Sequence, residues 1–249
     1  NYKNAFLKNG YLSELELDVS FQFLTTTYWS NSTGNNTSED VSIYNFKALY
    51  GIQLSEKLMF KSGLGYRYLY DYGKNIITTT GAVGYDREQD YTYIPLIAEL
   101  QTAKGMLNIE YDQIIDGNNT SYSSRTLKFK NDDGYAWKVS FEREVNGIIY
   151  EPYYEFMSIE DSTLDGAYVE PANITNEIGF RIKKEFNSKR VSASNYKKII
   201  TNDEYYIGMQ ALMSEVESGF SSPTGSAKID EEDTGFSIVS GMKIIDNIK

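Results

Sequence analysis

The chain has 249 residues and a formal net charge of −11 at pH 7, with no histidine and no cysteine. Those absences exclude thiolate metal centres, disulfide-stapled folds and histidine-based acid–base chemistry, and the acidic balance excludes a phosphate-neutralising nucleic-acid surface. With 41% hydrophobic residues, 14% aromatics and only four prolines, the composition suits a folded, strand-rich protein and is too apolar for a disordered one.

No run of about 18 apolar residues offers a transmembrane helix. No signal peptide opens the chain, as expected of an exported protein read in mature form or as a fragment. A membrane-spanning strand needs only about 9–11 residues, half of them polar. The first predicted element fits that description. Leu15, Leu17, Val19, Phe21 and Phe23 alternate with Glu14, Glu16, Asp18, Ser20 and Gln22, a period of two with one apolar and one wet face. The pattern recurs at Tyr44 to Leu54, Leu58 to Tyr70, Ile94 to Leu100, Leu107 to Tyr111, Tyr135 to Phe141, Tyr150 to Phe156 and Ile174 to Ile182. Two weaker strand segments follow around 205–213 and 235–245, and Tyr205 to Val216 also reads as a short amphipathic helix.

The connections alternate in length. Ser55 to Lys57, Ala103 to Gly105 and Val145 to Gly147 read as tight turns, the last with an Asn-Gly pair suited to positive φ. Between them the polar stretches 30–40, 71–90, 115–133, 160–173 and 214–234 read as long loops. Short turns at one end and long loops at the other mark an antiparallel up-and-down transmembrane β-barrel. The expected fold is thus all-β, a single barrel over 1–249. Strands fill 12–186, a polar basic connection occupies 187–203, and closing strands lie in 204–249. Ten strands are expected, with eight as the alternative, and a soluble lipocalin-like ligand carrier is the competing fold.

Three stretches carry a family resemblance: Gly63 to Leu69 (GLGYRYL), Gly84 to Glu88 (GYDRE) and Asn176 to Ile182 (NEIGFRI). Over about residues 12–186 the chain resembles small outer-membrane barrels of the OmpA and opacity-protein type. The resemblance implies a Gram-negative outer-membrane location, surface exposure, and a role in envelope structure, adhesion or small-solute passage.

If the apolar faces meet lipid, the alternate residues face the lumen. That assigns Glu16, Asp18, Lys61, Arg67, Glu99, Glu110, Lys138, Glu142, Glu151, Glu155 and Arg181 to an inner charge network. Tyr66, Tyr68, Tyr70, Tyr91, Tyr93, Tyr150 and Tyr154, near strand ends, are expected in an interfacial aromatic girdle. The acidic run Asp230 to Asp233 reads as a solvated loop tip, and no metal, cofactor or catalytic set is expected. The expected partners are outer-membrane lipid and a surface ligand or envelope protein met through the outer loops, with no nucleic acid. The expected function is a non-enzymatic structural or surface-interaction barrel. The alternative is a narrow channel, which would prefer cations because acids outnumber bases inside.

Overall fold

The computed structural model describes residues 12–247 except residues 75, 164–168, 195–196 and 223–224. Its strands are β1 (Leu12–Ser30), β2 (Gly34–Ser55), β3 (Leu58–Tyr72), β4 (Asp86–Gln101), β5 (Met106–Tyr122), β6 (Thr126–Lys130), β7 (Gly134–Val145), β8 (Ile148–Ile159), β9 (Asn173–Ser194), β10 (Lys197–Ser222) and β11 (Gly225–Asn247). Around the ring each neighbour is antiparallel. β5 pairs with β7 over its first half and with the short β6 over its last residues, so β6 and β7 form one stave interrupted at 131–133. β1 then closes on β11 from Leu12↔Asn247 to Ser30↔Ile229. The result is a closed barrel of ten staves. Closure leaves no bare edge, which is what a sheet needs where no water can satisfy its backbone.

The alternation seen in the sequence becomes two opposed faces. Phe21, Phe46, Leu64, Phe180 and Ile238 point outward and are exposed, Leu64 by 53%. Glu14, Glu16, Lys61, Glu110, Glu151, Glu177 and Gln210 point inward and are buried. A soluble barrel carries its apolar side chains inside. This one carries most of them outside, so the soluble-carrier alternative is set aside.

The expected strand around Tyr205–Met213 lies inside β10, and the helical alternative is set aside. Two expectations need correction. The basic stretch 187–203 is not an irregular connection: β9 beyond Lys183 and β10 before Asn202 pair only with each other, as a ribbon extending past the neighbouring strands. Most of the expected long loops are strand as well, with 34–40, 86–90, 115–122, 214–222 and 225–234 all in ladders. Outside the apolar band the outward face meets water instead of lipid, so polar residues occupy both faces and the alternation that betrays a strand disappears while the backbone ladder continues. Segments 73–85 and 160–172 are the longer connections that remain. At the opposite end the Asn-Gly turn is as expected, with φ of 55° at Asn146 and 77° at Gly147.

Four inward tyrosines face glycine on the adjacent stave: Tyr91↔Gly117, Tyr93↔Gly65, Tyr153↔Gly179 and Tyr206↔Gly241. A Cβ on Gly65, Gly179 or Gly241 would sit 2.1–2.2 Å from the facing ring. The missing side chain is the space in which each ring lies.

Candidate functional site

The lumen is filled in levels. Nearest the tight-turn end, Lys61 on β3 is 1% exposed, and its Nζ lies 2.6 Å from carboxylate oxygens of Glu14, Glu16 and Glu99. The register delivers this cluster, since β1, β3 and β4 place alternate residues inward at the same height. Beside it Lys183 bridges Glu142 at 2.7 Å and Glu151 at 3.1 Å, and Arg181 meets Glu151 at 3.3 Å. Further along, Lys47 pairs with Glu110 at 2.7 Å and Lys138 with Glu155 at 3.0 Å, with Arg67 3.7 Å from Glu155. Inward tyrosines tie these levels together: Tyr206 Oη donates to Asp18 at 2.6 Å, Tyr153 Oη to Glu177 at 2.5 Å and Tyr93 Oη to Asn45 at 2.7 Å. A cavity of about 110 Å³ remains among them.

Above the charged levels the lining turns apolar. Leu24, Val41, Ile43 and Leu212 pack with Leu69 on one side, and Tyr91, Tyr93, Ile114 and Ile159 with Met157 on the other. The outer mouth is charged again. Arg87 on β4 lies 3.2 Å from Asp71 on β3, 3.4 Å from Glu170 in the 160–172 connection and 3.8 Å from Glu231 on β11. Through Glu170 that connection is tied across the opening. Glu231 lies above the lipid-facing band of β11, and its enclosure there, in spite of Arg87, pushes its carboxyl up to about 7.

The eleven residues assigned to the inner network all occur within these levels. All but Lys61 line the central cavity, and Lys61 holds the cluster beside it. Of the girdle set, Tyr66, Tyr68, Tyr70, Tyr150 and Tyr154 lie on the outward positions of their strands, Tyr66 43% exposed and Tyr154 against the Trp137 ring. Tyr91 and Tyr93 do not belong there: they point inward, 3% and 5% exposed. The parity of β4 explains the correction. Its outward residues are the even-numbered Ile94, Leu96 and Leu100, which places odd-numbered tyrosines inside. The acidic run is likewise not a loop tip. It lies in β11, where Asp233 accepts hydrogen bonds from Thr26 and, at 2.9 Å, from Ser214. Arg87, Asp71, Glu170 and Glu231 were missed because they fall in stretches expected to be loop. Lys183 was missed where β9 runs into a polar, basic stretch, and Lys243, 3.9 Å from Glu16, was missed on a strand only weakly marked in the sequence.

No family profile and no curated protein matches the chain. Solved structures similar to it include the β domain of the Bordetella autotransporter Brka, at 12% identity over 92% of this chain and 98% of that one, with a TM-score of 0.48. The translocator domain of the autotransporter NalP from Neisseria meningitidis shares 8% identity over 97% and 90%, TM-score 0.41. The Pseudomonas putida toluene transporter TodX shares 9% over 98% and 91%, TM-score 0.32. The class follows from the barrel itself: a closed antiparallel ring, apolar outside and charged inside, is a transmembrane β-barrel of the bacterial outer-membrane class. Of the sequence resemblance, this supports the outer-membrane barrel without singling out the OmpA and opacity type.

Proposed function

We propose that this protein is a non-enzymatic outer-membrane barrel that closes its lumen with its own side chains and meets a surface ligand or envelope protein through its outer hairpins. The observation that carries the reading is the charge filling at two separated heights, around Lys61 and around Arg87. Carboxylates held by ammonium and guanidinium groups at 2.6–3.3 Å, as at Glu16, Glu142 and Glu151, are engaged in structure rather than poised over a substrate. The outer ends of β10 and β11, by contrast, extend beyond their neighbours as a hairpin, the sort of projection through which a rigid scaffold makes contacts.

The second reading, a narrow cation path, is favoured by the acid-rich lining of the central cavity. Planar-bilayer recording separates the two. The purified chain is expected to insert without steady conductance, whereas a steady cation-selective current would overturn the closed-lumen reading in favour of the channel.

A further inference from the structure

The outer mouth holds a cavity of about 170 Å³ that the closed lumen leaves open to the outer face. Its walls are largely apolar, with Ile76, Val83, Tyr85, Pro171 and Ile229 among them, and its polar end is the Arg87 cluster. One guanidinium there faces three carboxylates, so the site carries surplus negative charge. Asp71 is 7% exposed and lines the cavity; its Oδ2 is taken by Arg87, while its Oδ1 is buried with no hydrogen-bond partner. A buried carboxylate oxygen without a donor is an acceptor awaiting one.

We propose that this mouth cavity binds a small amphipathic organic cation, an ammonium group carried on an apolar body about the size of one ring. The volume sets the size: an apolar cavity of about 150 Å³ accommodates benzene. The charge sets the sign: three carboxylates share one guanidinium, so although Arg87 Nε is buried without a hydrogen-bond partner, an anion entering the cavity would meet surplus negative charge. The walls argue against a bare inorganic cation, since among the described residues no group of side chains is arranged for a metal ion. An ammonium has three donors: Glu170 and Glu231, which line the cavity, would accept from it, and a small rotation of the Asp71 carboxylate would bring its unpartnered Oδ1 within reach. The site needs only a mouth that faces water, so it does not depend on the surface role proposed above.

The test is calorimetric titration of the full chain in detergent micelles with three probes of one shape: phenethylammonium, phenylacetate and the neutral phenylethanol. Phenethylammonium is expected to bind at least about tenfold tighter than phenylethanol, an ion-pair contribution of ordinary size, and phenylacetate not to bind. Asp71→Asn is expected to weaken the ammonium about tenfold. Glu170→Gln, in a connection rather than a strand, tests the same charge should the Asp71 variant fail to show the heat-modifiable migration of a folded barrel. Ala82→Trp fills the cavity without touching a charge and is expected to abolish binding. Equal or tighter binding of phenylacetate, no binding of phenethylammonium, or ammonium binding unchanged by Ala82→Trp or by the charge variants would each overturn the site.

Discussion

Lys61 is more enclosed than the other charged side chains of the described lumen, and it answers three carboxylates at once. Replacing one member of such a set costs far more than the set contributes, because the remaining charges stay buried without their counterion. Lys61→Met is therefore expected to lower stability by about 3–5 kcal/mol, read from urea unfolding in lipid vesicles. Glu99→Gln leaves the lysine two partners, and its cost should stay near 1 kcal/mol, roughly one charge-assisted hydrogen bond. At the mouth, Glu231 is surrounded by Arg87, Asp71, Asp233 and Glu170, and its burial raises its carboxyl to about 7. A carboxyl raised in the folded state takes up its proton there before it does in the unfolded chain. Its contribution is thus unfavourable above about pH 7 and is relieved as the pH falls towards the ordinary value of 4.5. Glu231→Gln should accordingly gain on the parent by about 1–3 kcal/mol as the pH rises from 4.5 to 7, with no further change above. A difference independent of pH across that window would show that Glu231 is not enclosed as described.

Between strands, the facing tyrosine and glycine are a single fitting. Gly65 lies under the Tyr93 ring, so Gly65→Ala forces the ring aside and breaks its hydrogen bond to Asn45. The expected loss is about 1–3 kcal/mol, typical of overpacking, and Tyr93→Leu in the same chain should recover part of it. Additive losses in that double variant would mean the ring and the glycine are not coupled. This fitting also marks how far a sequence can be read. The parity of β1, from Leu15 to Phe23, is legible because lipid on one side and the lumen on the other impose opposite chemistry on successive residues. Tyr91 and Tyr93 are misread when their aromatic character is weighed above that parity. Beyond the apolar band the outward side carries polar residues as the inward side does, so 214–222 and 225–234 look like loop although Ser214 and Asp233 are buried. The mouth cluster was illegible for a further reason: Arg87 meets Glu170 and Glu231 only because the sheet curls into a ring, and no local pattern records which residues a ring brings together.

For the whole molecule, the outward belt of Leu, Ile, Phe, Tyr and Met is too extensive to remain in water. The chain is expected to stay monodisperse only in detergent or lipid, and to migrate faster on gels before heating than after. Monodisperse behaviour without detergent, measured by light scattering, would overturn the membrane placement. The ring has one join unlike the others. Most neighbouring staves are also neighbours in sequence, and several zip together across turns as short as Glu56-Lys57 or Asn146-Gly147. β1 and β11 meet from opposite ends of the described chain, with the Phe23 and Phe236 rings tilted against each other at 5.5 Å across the join. The entropy of bringing such distant segments together has to be met before any of their contacts form, so the seam is the slow step of assembly. Until it closes, the nine other joins make an open, curled ribbon with two long bare edges, each a template for the edge of a second copy. The speed of that one closure therefore decides whether newly delivered chains become barrels or aggregates.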